Sequence, residues 1–261
     1  MPDSCHHISK IFADTYRISE NDIVNAYLLL GEKKALLIDC GLGVGNIRQC
    51  VEEITPLPID VALTHLHCDQ AGGRNWFDHY AYHKKDNIGI LYFLSSNMVA
   101  RQLLKREGKS EKLSKKNKHS KRLLFDDTCV FDLGGRLIRL MNTPGHTPGH
   151  TPGSTVYLDE KEHFLFTGDE VEPWLWLQLP GSLSVEKWLP NAKNILSLCN
   201  DYTVYSGRYN DALPKEAIQE LVERGEELVK GAKGIKVSRG VYAYPDNRRQ
   251  EHAVIWYKKI K

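Results

Sequence analysis

The chain lacks most of the features that sort a protein at a glance. Its formal net charge is only +2 over 261 residues. That bias is too small to recruit nucleic acid or an anionic membrane by charge alone. No apolar run approaches the roughly 20 residues that cross a bilayer. Met1 to Lys10 has no apolar core of a secretory signal. The six cysteines, at 5, 40, 50, 68, 129 and 199, show no paired spacing. They read as reduced thiols, not as a disulfide framework. No internal repeat and no linker-like stretch interrupts the chain. These absences predict one domain over 1–261, cytoplasmic and without a membrane span. The 41% hydrophobic content is enough for a core.

One segment departs from this balance. Lys105 to Arg122, KREGKSEKLSKKNKHSKR, is strongly basic and nearly devoid of apolar residues. It reads as a solvated insertion at 105–122. The alternative is an arm for phosphate groups of RNA or of a coenzyme. A single-strand stacking platform would interleave aromatics, and this stretch has none. His6 and His7 also attract notice, but terminal residues are commonly poorly ordered, so no metal is assigned to them.

What the chain does contain is a regular succession of short elements. Ile11 to Ile18, Asn25 to Leu30 and Ala35 to Ile38 predict strands separated by turn residues. Asn46 to Ile54 has helical spacing at 47, 51 and 54, and Pro56 stops it. Ile59 to Leu63 is a buried strand. Phe125 to Met141 predicts two strands around Leu133-Gly134-Gly135. Thr155 to Leu158 and Phe164 to Phe166 predict a hairpin. Val185 to Leu198 predicts a helix that must accommodate Pro190. Pro214 to Lys230 has Ile218, Leu221, Val222 and Leu228 on one face and Pro214 near its start. Val241 to Tyr244 and Ala253 to Tyr257 predict a last hairpin. Two sets of strands with helices outside make an α/β chain.

The strand Ile59 to Leu63 runs into Thr64-His65-Leu66-His67-Cys68-Asp69-Gln70, followed by Gly72-Gly73. An extended backbone sends alternate residues to one side. His65, His67 and Asp69 therefore can enter one volume at the strand's end. Imidazole and carboxylate are ordinary ligands of zinc and iron. Three further stretches accompany this one. Leu36 to Gly43 is a strand ending in Asp39 and a glycine turn. Thr143 to Ser154 repeats Thr-Pro-Gly three times around His146 and His150. Phe164 to Asp169 is a strand delivering a second aspartate.

In this order the four motifs resemble the metallo-β-lactamase superfamily, over roughly Asn25 to Arg208. Within it, the His65 loop and the residues around Gly168-Asp169 are most similar to members of acyl-CoA thioesterase type. The resemblance implies a four-layer αββα sandwich. It also implies a first metal held by His65, His67 and a histidine of the Thr-Pro-Gly stretch, with Asp169 bridging. Relatives have that stretch twice with one histidine between. Counted from Leu133-Gly134, His146 takes the family position; counted back from Gly168-Asp169, His150 does. The strand ending at Met141-Asn142 favours His146, and both stay as candidates.

The second family metal would use Asp69, the next residue and a late histidine. Those last two are Gln70 and Arg208 here. A guanidinium stays protonated and cannot ligate a metal, and an amide oxygen is a weak donor. The first site is intact and the second dismantled. The expectation is one ion, zinc with iron as the alternative, and an Arg208–Asp69 pair in place of the other. Asp69 is the catalytic candidate, as acceptor of a proton. The expected function is hydrolysis of a thioester or ester, with a small-molecule acyl substrate suited to Trp174 and Trp176. The alternatives are a mononuclear iron dioxygenase of persulfide type and a catalytically silent ligand-binding member.

Overall fold

The computed structural model describes residues 5–88, 100–102, 104–105, 108, 113, 120–144, 152–178, 182–245 and 253–258. Both Thr-Pro-Gly histidines, His146 and His150, lie outside these residues. So does most of the basic stretch.

The first sheet has seven strands in chain order: β1 (His6–Phe12), β2 (Thr15–Glu20), β3 (Val24–Leu30), β4 (Ala35–Ile38), β5 (Ile59–Ala62), β6 (His79–His83) and β7 (Lys121–Phe125). Its first four strands form an antiparallel meander, as the turn residues predict. From β4 onward the pairs are parallel. The switch follows from helix α1 (Ile47–Ile54), because a parallel strand needs a crossover connection. Strand β4 is buried throughout, as its unbroken apolar run requires.

A second sheet contains β8 (Val130–Asp132), β9 (Leu137–Asn142), β10 (Thr155–Asp159), β11 (Phe164–Phe166) and β13 (Thr203–Tyr205), in the order β13-β11-β10-β9-β8. The two sheets face each other across Tyr27, Leu29, Leu36, Ile38, Tyr157 and Phe166, all buried in one cluster. Helix α1 covers the outer face of the first sheet through Ile47 and Val51. Helices α3 (Val185–Leu198) and α4 (Lys215–Val229) cover the second, packed around Trp188, Ile195, Ile218 and Leu221. This is the α/β sandwich that the motif order implies. Pro190 sits inside α3 without ending it.

Two features differ from the sequence reading. Lys121 and Arg122, read as the end of the basic insertion, open β7 and pair in parallel with His79 and Tyr80. Trp174 to Leu177 forms strand β12 of a third sheet, ordered β12-β16-β15-β14, with β14 (Ile235–Ser238), β15 (Val241–Tyr244) and β16 (Val254–Lys258). Its partner in parallel is β16, nearly eighty residues away, which local patterning does not announce.

One buried ion pair locks the two sheets at the end away from the metal motifs. Arg136 donates through Nε to Asp159 at 2.9 Å, through Nη1 to the Asp14 and Leu30 carbonyls at 2.8 and 3.0 Å, and through Nη2 to Thr15 Oγ1 at 2.6 Å. Its Nη2 also meets Asp159. Both side chains are fully buried, and the shared hydrogen bonds are what make such a pair tolerable.

Candidate active site

Strand β5 ends at Ala62 and the backbone leaves the sheet through Thr64. A short helix, α2 (Cys68–Ala71), begins three residues after His65. Asp39, at the end of β4, anchors this exit. Its two oxygens accept from the Thr64 amide and hydroxyl, both at 2.8 Å. The Thr64 oxygen lies 3.0 Å from His65 Nδ1. With the Thr64 proton given to Asp39, that oxygen accepts from Nδ1–H, which leaves Nε2 its lone pair. His65 Nε2 in turn faces His67 Nδ1 at 2.9 Å. Burial pushes the Asp39 pKa well up, and the two Thr64 hydrogen bonds oppose the rise.

Asp169 arrives from the second sheet, after β11. Gly168 turns with φ +53°, and a Cβ there would stand 2.5 Å from Thr64 Oγ1. Only glycine lets the two loops approach this closely. One donor atom from each of His65, His67 and Asp169 lies within 4.8 Å of the others, and all three residues are buried. Zinc–nitrogen and zinc–oxygen bonds of about 2.0–2.2 Å can be met from such positions. The donors, two imidazoles and one carboxylate, suit zinc or iron.

Asp69, by contrast, faces Arg208. Arg208 Nη2 donates to Asp69 Oδ2, while its Nε and Nη2 both lie 3.3 Å from Asp169 Oδ2. One guanidinium therefore sits between the two aspartates. Gln70 donates through Nε2 to the other Asp169 oxygen at 2.7 Å. Its Oε1 is buried with no hydrogen-bond partner among the described residues. Glu172, which motif reasoning missed, holds Arg208 in register. Its oxygens accept from the Arg208 amide at 3.0 Å and from the Ser206 hydroxyl at 3.1 Å. The Arg208 guanidinium also lies 5.5 Å from the Trp176 ring centre, a cation–π distance.

The electrostatics follow from this crowding. Burial raises the Asp69 pKa to about 6; Arg208 works against the rise and Asp169 adds to it. Burial also pushes Glu172 well up, reinforced by Asp169. For Arg208, burial disfavours the charge, but Asp169, Asp69 and Glu172 outweigh it and hold the guanidinium protonated. Cys68 takes no part. Its thiol packs among Val24, Leu42 and Leu104, and burial raises its pKa.

A second group of donor atoms, Cys5, His6 and Glu20, is also buried. Its role is legible from Glu20. The Glu20 carboxylate accepts from the amides of Leu42, Gly43, Val44 and Gly45, so both oxygens are committed to closing the glycine turn after β4. His6 Nε2 lies 3.6 Å from it as counter-charge. A cavity of about 370 Å³ opens at the far end of β5, between Arg48, Asp60, Asp78 and His79. Its charges pair with one another, His79 with Asp60 and Arg48 with Asp78, both at 3.4 Å.

Residues 20–208 match the model of the metallo-beta-lactamase superfamily. The chain belongs to that superfamily. Among curated relatives, it is 28% identical over 221 residues to acyl-coenzyme A thioesterase MBLAC2 of Homo sapiens, covering 77% of this chain and 69% of that one. The Gallus gallus protein of the same name is 29% identical over 220 residues, covering 77% and 68%. Among solved structures, an archaeal metallo-beta-lactamase superfamily protein from Sulfolobus tokodaii superposes with a TM-score of 0.58 at 19% identity, covering 84% of each chain. Superfamily membership and the curated relatives make the chain a hydrolase. No helix among the described residues is long and apolar enough to cross a membrane.

Proposed function

We propose that this superfamily member hydrolyses a thioester of an acyl group, using one metal ion and Arg208 in place of a second. The observation that carries the reading is the guanidinium seated between Asp69 and Asp169. His65, His67, Asp169 and one of His146 and His150 would hold the metal. When bound, that ion supplies a Lewis acid and lowers the pKa of a coordinated water. Zinc is the ion we favour for this donor set, with iron the alternative.

The protein's own groups do the rest. Asp39 and Thr64 orient His65 with Nε2 inward. Gln70 and Arg208 take one oxygen each of Asp169 and so fix its plane. Arg208 occupies Asp69 Oδ2, which leaves Oδ1 as the atom to hold a proton on its way to the departing thiolate. Outside Arg208, Trp176 and Trp174 alternate with buried Leu175 and Leu177, so both rings lie on one face of β12. Trp174 is 60% exposed. Such a ledge suits an acyl chain, and the thioesterase relatives point to the same substrate class.

The test is release of free thiol from acyl-coenzyme A substrates of graded chain length by the zinc-loaded protein. Hydrolysis that His65→Ala and Asp169→Ala abolish supports the reading. A fully loaded protein that releases no thiol would reject it in favour of a ligand-binding member. Oxygen consumption by an iron-loaded protein would reject it in favour of a dioxygenase.

A further inference from the structure

A guanidinium has N–H donors along three edges, and the aspartates beside Arg208 take up only part of them. Nε lies against Asp169, and Nη2 against both Asp169 and Asp69. Nη1 has no hydrogen-bond partner among the described residues, and it is not one of their enclosed, unpaired polar atoms. It is therefore open to solvent. The Arg208 side chain is 25% exposed, while the Asp69 and Asp169 side chains are buried. The guanidinium thus runs from the floor of the site to its opening, where the Trp176 ring centre lies 5.5 Å away.

The residue behind this nitrogen is clamped. Its own amide donates to Glu172 at 3.0 Å. On one side, the Gly207 carbonyl accepts from the Asn25 amide at 2.7 Å and the Gly207 amide donates to Gly168 at 2.9 Å. On the other, the Tyr209 carbonyl accepts from Asn25 Nδ2 at 2.9 Å. Tyr27 donates its hydroxyl to the Ser206 carbonyl at 2.6 Å. A donor fixed in advance at the edge of a buried site stabilises charge as it develops, without reorganising.

The geometry points to Arg208 Nη1 as the donor that receives the carbonyl oxygen of the substrate. The inference rests on the thioester reading given above. Nη1 shares one planar group with Nη2, which lies 3.3 Å from Asp169 Oδ2, and Asp169 is grouped with His65 and His67. An acyl chain lying along Trp174 and Trp176 places its carbonyl beside Nη1. Attack of water on the carbonyl carbon moves an electron pair onto that oxygen, which Nη1–H holds, and one water proton passes to Asp69 Oδ1. When the pair returns, the carbon–sulfur bond breaks and the thiolate takes the proton. The products are an acid and a thiol.

The experiment compares Arg208→Lys with the unaltered full chain, each carrying one equivalent of zinc. Lysine keeps the charge but ends in a single nitrogen, which the aspartates engage. Thiol release from an acyl-coenzyme A gives kcat and KM. Calorimetry compares two inert analogues, a ketone with methylene in place of sulfur and the same molecule without the oxygen. Loss of one such donor costs about 100- to 1,000-fold in kcat. Arg208→Lys should lose that much with KM within a few-fold of the parent. It should also lose the parent's preference for the ketone while binding the second analogue as before. Unaltered kcat overturns the inference. So does a loss confined to KM with both analogues weakened alike, because Arg208 then grips another part of the substrate. If Arg208→Lys does not fold, Arg208→Ala is compared with added ethylguanidinium and ethylammonium: recovery with the first alone supports the inference, and equal recovery overturns it. A parent that cleaves no thioester removes the thioester reading, while the ketone comparison still decides whether Arg208 holds a carbonyl oxygen.

Discussion

Replacing Arg208 by alanine should give the protein affinity for an ion beyond the single one proposed above. The guanidinium lies 3.3 Å from Asp169 Oδ2 and contacts Asp69 Oδ2 directly. At an effective dielectric of 20, one unit-charge pair at 3.3 Å is worth about 5 kcal/mol. A divalent cation brought to the same place would feel repulsion of that order from Arg208, doubled by its own charge and reduced by whatever distance it keeps. Removing Arg208 abolishes the repulsion and leaves Asp69, Asp169 and Glu172 buried without their cation. Two outcomes compete for the relief: one carboxylate takes up a proton, or a metal enters. Metal counting by elemental analysis after dialysis against zinc should give close to one equivalent for the parent. Arg208→Ala should exceed one, and Arg208→His with Gln70→His should approach two, since both new side chains are donors. Two tight equivalents in the unaltered protein would refute the reasoning, because Arg208 would then not be standing where the second ion binds.

Three further outcomes are expected. Alanine at His146 and at His150 should differ sharply in metal retention, one losing the ion and the other keeping it; equal partial losses would contradict a single ligand. Arg136→Met should destabilise the fold by about 3–5 kcal/mol in denaturant titrations, because Asp159 is left buried and unpaired, and Asp159→Leu added to it should recover much of the loss. Burial holds the Asp86 pKa at about 7 against an ordinary 3.8. The folded state therefore binds this proton more tightly than the unfolded chain does. Its contribution is greatest below the unfolded value and falls by about 4 kcal/mol as pH rises toward 7. Asp86→Asn should flatten that slope, and parallel stability curves for the two proteins would show that the carboxyl does not titrate in this way.

The parts of this architecture that are legible in the sequence are those written in local pattern. The meander, α1, α4 and the hairpin of β10 and β11 follow from period and punctuation. His65, His67 and Asp69 stand out because the residues alternate at the end of an apolar strand. Gln70 and Arg208 stand out by departing from the family's ligands. Asp86, Glu172 and Glu20 do not, for a physical reason. Asp86 in Lys84-Lys85-Asp86-Asn87 and Glu20 in Ser19-Glu20-Asn21-Asp22 have polar neighbours, where acids are usually solvated, and Glu172 between Val171 and Pro173 belongs to no pattern. What buries them is a backbone amide from a distant loop, which composition does not show. Strand β7 is hidden in the same way, since Lys121 and Arg122, both exposed in the strand, continue a basic run in the sequence. The tryptophan segment reads as a lining of the site, but its being a strand depends on a partner far along the chain.

That partner has a bearing on how the site comes together in time. The register pairs Trp176 with Trp256, so β12 gains a neighbour only after the last described strand has folded back across it. Loop-closure entropy delays contacts of such sequence separation relative to hairpins. The strands carrying His65, His67 and Asp169 come from β5 and β11, which can dock before β16 exists. The loops bearing His65, His67 and Asp169 and the tryptophan face of β12 are thus separate steps of assembly. A folding chain passes through a stage in which those three side chains are in place while the surface beside Arg208 is still unformed. Under the function proposed above, ion capture then precedes selectivity for the substrate.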